Sequence, residues 1–210
     1  MMTEAGDWDG AYAGDAPPPW DIGRPQPVFE AVADAGGLSG RVLDIGCGTG
    51  EHTLLAAERG ADAHGIDLSA RAIKQARSKA SSRGLEARFD VADALTVPAP
   101  ETPYDAVIDS GVFHVFDDRD RTTYVDVLRR VLRPGGALYL MCFSDSQPGD
   151  WGPRRVSADE LRTAFADGWA VDLERTTMSV NPIDGVTDVQ AWFATIRRND
   201  AVSNQPGQDS

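Results

Sequence analysis

The chain has 210 residues, 41% of them hydrophobic and 25% charged, with a formal net charge of -13 at pH 7. This length predicts one domain large enough to bury a full core, and so much negative charge argues against DNA or RNA as a partner. Two cysteines, Cys47 and Cys142, occur in neither a CxxC nor a zinc-ligand spacing, so we expect no metal and no disulfide framework.

Both ends of the sequence differ in composition from its middle. Residues 1–19 are rich in Gly, Asp, Ala and Pro, which predicts either a flexible segment or a lid that folds over a ligand. Residues 199–210 are predicted to be a polar tail, which leaves a single domain over residues 20–198. An acidic N-terminus and the absence of a long apolar run predict a cytoplasmic protein with no membrane partner.

Strands and helices alternate along the domain. Apolar periodicity, caps and glycine stops predict helices at 27–35, 51–59, 69–82, 119–133 and 157–165, and strands at 41–46, 63–67, 87–93, 104–110, 137–143, 170–180 and 189–197. The helix at 119–133 has a regular apolar stripe, and Ser157 with Glu160 forms a capping box. A Pro-rich loop follows the third strand, where alternation would place a helix.

This order of elements predicts the fold. A continuous apolar strand such as 41–46 is typical of a parallel sheet covered on both faces. We therefore predict a doubly wound α/β fold, with a mostly parallel seven-stranded sheet and an antiparallel C-terminal edge hairpin. In such sheets ligands bind at the carboxyl ends of the strands, near the point where the strand order reverses.

A glycine-rich loop, Asp44-Ile-Gly-Cys-Gly-Thr-Gly50, follows the first strand and opens a helix. Glycines let a backbone approach a ligand closely. A dinucleotide fingerprint would need its third glycine at position 51 or 53, which are Glu51 and Thr53. A carboxylate at the helix N-terminus would also compete with a pyrophosphate. A partly cationic ligand without phosphate fits better, and S-adenosylmethionine is one.

The segment Val42–Gly50 closely resembles the first motif of class I methyltransferases. Further segments resemble later motifs in the same order: Gly65–Asp67, Val91–Asp93, Tyr104–Asp109 and Leu132–Ala137. The resemblance covers residues 41–143. It implies a Rossmann-like methyltransferase fold, a methyltransferase domain at 20–198 and S-adenosylmethionine as the cofactor.

The resemblance also implies a set of cofactor-binding residues: Trp20, Asp44, Gly46, Cys47, Gly48, Gly50, Asp67, Leu68, Ala92, Asp93, Asp109 and Ser110. Asp67 is expected to accept from both ribose hydroxyls, because a carboxylate offers two acceptor oxygens. Asp93 is expected to accept from the adenine amino group, while Ala92 offers its N–H to a ring nitrogen. Asp44 is expected to accept from loop amides or to face the cofactor's ammonium through water.

A second resemblance concerns the substrate. Pro19–Pro27 is similar to a segment of the thiopurine-type methyltransferases, which include thiol, halide and heterocyclic-toxin (hydroxyquinolone) methyltransferases. Asp109–His114 resembles the last branch best. This implies a small-molecule substrate and a role in detoxification, and it leaves monomer and homodimer open.

Methyl transfer from a sulfonium mainly requires alignment, and a base helps only if the nucleophile arrives protonated. His114, just past the fourth strand, is the predicted base, with a packing histidine as the alternative. Asp21 would orient His114 or touch the cofactor. Four aromatic residues are predicted to form a slot for a planar heteroaromatic: Trp20, Phe113, Phe116 and Trp151.

The predicted function is therefore O- or N-methylation of a small planar heteroaromatic molecule. One alternative is S-methylation of thiols or of halide, which needs no base. An alternative of another class is a non-catalytic cofactor-binding module. Glu51 disfavours an NAD-dependent oxidoreductase. Nucleic-acid methylation is disfavoured by charge, and because residues 109–112 lack the Asn/Asp-Pro-Pro-Tyr/Phe signature.

Overall fold

A computed structural model describes residues 7–14, 16–183 and 185–200. Residues 1–6 of the predicted N-terminal segment and residues 201–210 of the predicted tail lie outside these ranges. The described residues form these helices and strands: α1 (Trp8–Ala11), α2 (Pro27–Asp34), β1 (Arg41–Ile45), α3 (Glu51–Glu58), β2 (Asp62–Asp67), α4 (Ala70–Arg83), β3 (Arg88–Val91), β4 (Tyr104–Ser110), α5 (Asp118–Val131), β5 (Leu132–Phe143), α6 (Ala158–Ala164), β6 (Trp169–Ile183) and β7 (Val186–Arg198). A 3₁₀ turn (Phe113–Val115) follows β4. Within the described ranges, every helix is too short or too polar to cross a membrane.

One sheet contains all these strands, in the order β3-β2-β1-β4-β5-β7-β6. Strands β1 to β5 run parallel, and β7 is antiparallel to both β5 and β6. The predicted doubly wound sheet with an antiparallel C-terminal hairpin is confirmed. The strand order reverses between β1 and β4, so the carboxyl ends of these two strands form the switch point.

Helices cover both faces of the sheet, which explains the continuous apolar character of its central strands. One apolar core joins the sheet to α5 and α6, and two further clusters join it to α2, α3 and α4. The capping box of α6 is present: the Ser157 hydroxyl accepts from the N–H of Glu160 at 3.2 Å, and Glu160 accepts from the N–H of Ser157 at 2.8 Å. Residues 92–103 form a loop rather than a helix.

Strand β5 begins earlier than the sequence predicts. Leu132 follows α5 directly and pairs with Tyr104, so residues 134–136, which lie between the predicted helix and the predicted strand, belong to the strand. The register shifts between Tyr104 and Ala106 on the partner strand, which makes this part of the ladder irregular. An irregular ladder accommodates Pro134, because proline has no N–H to donate.

The hairpin of β6 and β7 extends beyond the part of β7 that pairs with β5. Strand β7 pairs with β5 only as far as Ala191 opposite Phe143, whereas β6 and β7 stay paired to Ile183 opposite Val186. The tip of this β6–β7 hairpin therefore projects past the carboxyl edge of the parallel strands, above the predicted site.

Candidate active site

The glycine-rich loop joins β1 to α3 at the switch point. Gly46 and Gly48 have φ angles of 67° and 53°, in the left-handed region that favours glycine. A Cβ atom on Gly48 would lie 2.9 Å from the hydroxyl oxygen of Tyr12. The N–H of Cys47 donates to the carbonyl of Ile66 at 2.9 Å, which fixes the loop to β2. Glycine thus permits a close approach from above the loop.

Asp67 is the last residue of β2 and lies beside this loop. Its carboxylate accepts from the backbone N–H groups of Gly48 at 2.9 Å and Ser69 at 2.8 Å. Desolvation raises the pKa of Asp67, against the lowering effect of these two donors. Each oxygen keeps a second lone pair, so the carboxylate can also accept from two ligand hydroxyls.

An N-terminal segment, residues 7–14 and 16–26, lies across the loop. Tyr12 is buried, and its hydroxyl accepts from the indole N–H of Trp20 at 2.9 Å. Asp9 accepts from the hydroxyl of Ser69 at 2.9 Å and from the N–H of Arg71 at 3.0 Å, at the start of α4. The segment thus covers the carboxyl ends of β1 and β2. Its opening as a lid stays a prediction.

A second set of contacts ties the N-terminal segment to the β6–β7 hairpin. The Gln26 side chain accepts from the N–H of Ser179 at 2.9 Å and donates to its carbonyl at 2.8 Å. Asn181 donates from Nδ2 to the carbonyls of Pro18 at 3.0 Å and Asp21 at 2.7 Å. The hairpin tip is therefore the far wall of the site.

A cleft with a volume of about 60 Å³ lies between the loop and the N-terminal segment. Ligand sites for drug-sized molecules have volumes of roughly 300–1,000 Å³, so this cleft is smaller than a nucleoside cofactor needs. The cleft is lined by the predicted residues Trp20, Asp21, Gly46, Cys47, Gly48 and Ser110, and also by Tyr12, Ile22, Arg24, Gln26, Thr49, Glu51 and His52.

Large exposed apolar side chains gather at this edge of the molecule. In the described part of the chain there are four: Trp20 (39% exposed), Leu68 (51%), Val91 (53%) and Val115 (38%). Leu68 follows β2, Val91 ends β3, and Val115 lies just past β4. An apolar patch at the carboxyl edge of a doubly wound sheet is typical of a ligand site.

The predicted adenine contacts are only partly compatible with the structure. The N–H of Ala92 donates to the carbonyl of Asp67 at 3.0 Å, so the prediction that it serves a ring nitrogen is wrong. Asp93 accepts through Oδ1 from the backbone N–H two residues along, at 2.9 Å, and keeps Oδ2 for a ligand. Asp90, the acid within β3, binds His64 at 3.0 Å.

Two further residues of the predicted set face inward. Asp44 accepts from the Thr53 hydroxyl at 2.7 Å, and burial raises its pKa to about 7. Asp44 thus anchors α3, and its contact with loop amides or, through water, with the cofactor's ammonium stays a prediction. Gly50 packs against α4 and β3: a Cβ atom there would lie 2.9 Å from both Ala76 and Phe89.

The side chain of Asp109 lies in the protein interior rather than in the cleft. Its carboxylate accepts from the N–H groups of Val112 at 2.7 Å and Phe113 at 3.1 Å, and from the Tyr124 hydroxyl at 2.9 Å. Burial raises its pKa to about 6. The predicted cofactor contact is therefore wrong: Asp109 holds the turn that follows β4.

His114 is buried, and its ring stands edge-on to Phe143 with centroids 5.1 Å apart. Its Nδ1 accepts from the N–H of Phe143 at 3.0 Å, which places the proton of the neutral ring on Nε2. Burial, then the charges of Arg121 and Arg155, lower its pKa to about 3, against an opposing hydrogen bond to Gly111. The acceptor nitrogen is already occupied, which contradicts a role as general base.

Asp21 lies with the glycine-rich loop. Its carboxylate accepts from the Thr49 hydroxyl at 2.9 Å, and it lines the cleft. Within the described ranges it makes no contact with His114, so it does not orient that ring. Of its two predicted roles, the one toward the cofactor fits this position.

The four aromatic residues of the predicted slot lie apart. Phe113 and Phe116 belong to the core beneath α5, where Phe116 is 5.1 Å from Tyr124. Trp151 packs into the core on the opposite face, and Trp20 lines the cleft. The slot prediction is wrong, because Phe113 and Phe116 pack on one face of the sheet, Trp151 packs on the other, and of the four only Trp20 lines the cleft.

The negative charge of Glu51, at the start of α3, is paired with cations inside the protein. Glu51 is 7% exposed and binds Lys79 at 2.7 Å and Arg83 at 2.9 Å. These cations neutralise it, so it would not repel a pyrophosphate as predicted. The glycine spacing alone disfavours a dinucleotide.

The predicted set of site residues omits four that build the site: Arg24, Gln26, Thr49 and Asn181. Thr49 lies within the glycine-rich loop itself. Arg24 and Gln26 fall inside Pro19–Pro27, whose resemblance to a known segment was the available signal. Asn181 carries no local signal, because its partners are 160 and 163 positions away.

A loop of glycines, a strand-end acid and a covering segment at the switch point define a nucleoside-binding α/β protein. The methyltransferase domain family matches residues 42–136. The chain is 36% identical over 174 residues to a 2-heptyl-1-hydroxyquinolin-4(1H)-one methyltransferase of Mycobacteroides abscessus, which covers 79% of this chain and 77% of that relative. It is 26% identical to a probable thiol methyltransferase of Arabidopsis thaliana, over 91% of this chain and 87% of that one.

A solved structure described as "Conversion of a Disulfide Bond into a Thioacetal Group during Echinomycin Biosynthesis" superposes with a TM-score of 0.82. Its sequence identity is 38%, and the match covers 93% of both chains. The chain therefore belongs to the class I S-adenosylmethionine-dependent methyltransferases. It is an enzyme that methylates small molecules, which sets aside the non-catalytic binding module.

The residues present fit S-adenosylmethionine. A Cβ atom on Gly46 would come within 2.2 Å of Val112, and one on Gly48 would lie 2.9 Å from the Tyr12 hydroxyl, so both positions of the loop require glycine. Asp67 has free lone pairs for two hydroxyls, and Leu68 next to it offers an exposed apolar surface to the adenine ring.

Proposed function

We propose that the enzyme methylates a hydroxyl oxygen or ring nitrogen of a small planar heteroaromatic molecule. The observation that carries this proposal is the 36% identity with a hydroxyquinolone methyltransferase over 79% of the chain. Exposed Trp20, beside Ser110 in the cleft, supports it, because an indole face suits a flat ring. Methylation would mask a reactive hydroxyl, which agrees with a role in detoxification.

In this proposal the chain binds, orients and excludes water. Asp67 and Asp93 hold the nucleoside, and the glycine-rich loop lets the cofactor lie close to the backbone. When bound, S-adenosylmethionine supplies a methyl group activated by its sulfonium. The N-terminal segment closes over both ligands, which removes water and fixes the nucleophile in line.

The proposal assigns no base to His114. Its Nδ1 is used by the N–H of Phe143, and its pKa of about 3 keeps the ring neutral. The substrate would therefore arrive as an anion, which an acidic hydroxyl attached to a heteroaromatic ring provides. His114 then positions the end of β5 through Phe143.

S-methylation of a small thiol is the second candidate. Two observations favour it: a thiolate also arrives as an anion, and the thiol methyltransferase relative spans 91% of this chain. The two candidates differ in the atom that receives the methyl group.

The test is methyl transfer from labelled S-adenosylmethionine to hydroxyquinolones, phenols, thiopurines, small thiols and iodide. We expect label on a ring hydroxyl or nitrogen. Label only on thiols or iodide would replace the first candidate with the second. A series of hydroxyquinolones with different hydroxyl pKa values tests whether the substrate reacts as its anion. In that case a plot of log kcat/KM against pH should bend at the pKa of each substrate.

The matched variant is His114→Asn, whose amide oxygen can still accept from the N–H of Phe143. We expect it to keep kcat/KM within about threefold, with the bend unchanged. A general base contributes roughly 10²- to 10⁴-fold, so a loss of that size would restore the base role.

A further inference from the structure

Two opposite charges border the cleft from one short stretch of the N-terminal segment. Asp21 and Arg24 both line it, facing the glycine-rich loop. Between them Gly23 has a φ of 69°, in the left-handed region, which turns the chain sharply. Asn181 holds this turn by donating to the carbonyl of Asp21 at 2.7 Å. The hairpin therefore fixes where both charges lie.

Of the two charges, only Asp21 has a partner inside the protein. Asp21 accepts from the Thr49 hydroxyl at 2.9 Å. Arg24 makes no ion pair or hydrogen bond with any residue in the described ranges. The nearby Glu51 is already bound by Lys79 and Arg83. The guanidinium of Arg24 is thus an unpaired cation at the mouth of the cleft.

The glycine-rich loop has few amides left for an anion. The N–H of Cys47 donates to Ile66, the N–H of Gly48 to Asp67, and the N–H of Gly50 to Cys47. A carboxylate that binds here would therefore find few of its donors among these three amides. Arginine suits this task, because its planar guanidinium offers two parallel N–H donors to a carboxylate.

We propose that Arg24 binds the α-carboxylate of the cofactor's methionyl group, while Asp21 receives its ammonium. The inference rests on S-adenosylmethionine occupying this cleft. An α-amino acid is a zwitterion, and the pair Asp21 and Arg24 presents the complementary charges on one turn. Arg24 is then the residue by which the enzyme selects an amino acid tail on its nucleoside ligand.

The test compares three ligands by titration calorimetry. S-adenosylhomocysteine carries the whole amino acid, its decarboxylated analogue lacks only the carboxylate, and methylthioadenosine lacks the entire tail. For Arg24→Gln we expect about 30-fold weaker binding of S-adenosylhomocysteine, in line with a lost charge-assisted pair. Binding of the other two ligands should stay within about twofold of the wild type.

Two further variants complete the design. Arg24→Lys keeps the positive charge but loses the two parallel N–H donors of the guanidinium. Its affinity for S-adenosylhomocysteine should therefore fall between those of the wild type and Arg24→Gln. Arg88→Gln removes a cation on β3, outside the cleft, and should change no affinity.

An equal loss for all three ligands would mean that Arg24 only shapes the N-terminal segment, and unchanged binding of S-adenosylhomocysteine would mean that it touches no carboxylate. Either result overturns the inference. A wild-type protein that binds none of the three ligands would overturn the cofactor site itself. Binding of all three followed by no methyl transfer would leave Arg24 in place and contradict the proposed substrates.

Discussion

The two halves of the site use similar residues in opposite ways. At the end of β2, Asp67 accepts two backbone N–H groups and keeps lone pairs toward the cleft. At the end of β4, Asp109 is fully buried, and its acceptors are taken by Val112, Phe113 and Tyr124. The first carboxylate is built to receive a ligand, and the second is built to hold a turn.

The difference teaches that an acid at a strand end does not by itself mark a ligand contact. What decides whether the carboxylate can bind a ligand is the number of hydrogen-bond donors that the following turn supplies to it. After β2 the chain enters α4 through Ser69, whereas after β4 a 3₁₀ turn wraps its amides around Asp109. Substitutions in the two halves should therefore separate binding from stability.

Asp109→Ala should have the largest effect, and it should fall on stability. It leaves three donors without an acceptor, two of them buried, so the free energy of unfolding should drop by about 4 kcal/mol in urea titration. Tyr124→Phe, which removes one donor, should cost about 1 kcal/mol. The folded Asp109→Ala protein should bind S-adenosylhomocysteine within about threefold of the wild type. A tenfold loss of affinity at unchanged stability would place Asp109 at the ligand.

Asp67→Ala should act on binding instead. Loss of a carboxylate that accepts from ribose hydroxyls should weaken S-adenosylhomocysteine about 100-fold, or roughly 2.7 kcal/mol, by calorimetry. Asp90→Ala is the matched control on the neighbouring strand, because Asp90 binds His64 away from the cleft. If both variants bound alike, the ribose assignment of Asp67 would be wrong.

We expect His114 to make the free energy of unfolding depend on pH. Its pKa is about 3 in the folded protein, below the usual 6.5 of the unfolded chain. Its stabilising contribution is therefore complete above pH 6.5 and is lost as the pH falls toward 3. Relative to His114→Asn, the wild type should lose about 1.4 kcal/mol per pH unit below 6.5, or about 2 kcal/mol by pH 5.

Asp44, Asp109 and His52 titrate in both proteins of that pair, so they cancel in the difference. Urea unfolding at intervals between pH 5 and 8 measures it. A difference that is flat across this range would mean that His114 can ionise in the folded state, which would reopen its role as a base.

Gln26→Ala should have the smallest effect. It removes two hydrogen bonds between the N-terminal segment and Ser179, so release of S-adenosylhomocysteine should become about tenfold faster. Stopped-flow tryptophan fluorescence can follow this step, because Trp20 lies in the cleft. Ser179→Ala is the control, since Gln26 contacts only the backbone of Ser179. Equal rates in all three proteins would argue against a lid.

The sequence predicted the order of the main elements and the placement of part of the cofactor half. The bounds of β4 are as predicted, and Ser69 caps α4 as expected, because apolar runs and caps are local signals. Gly46, Gly48 and Asp67 lie together because the loop and its neighbouring strand are adjacent in a parallel sheet.

The substrate half could not be predicted in the same way. The sequence does not show that the acceptor nitrogen of His114 is occupied by Phe143, because that contact spans 29 positions. The far wall depends on Gln26 and Asn181, whose contacts span 153 to 163 positions. Such pairings follow from packing, which has no local period.

The junction between the N-terminal segment and the β6–β7 hairpin also bears on how the enzyme is made. During synthesis the glycine-rich loop and Asp67 leave the ribosome long before Ser179 and Asn181. The cofactor half can assemble early, while the earliest-made residues wait for the last strands before they are anchored over it. A nascent or truncated chain that lacks β6 therefore has no far wall, and the site can close only after β6 has been made.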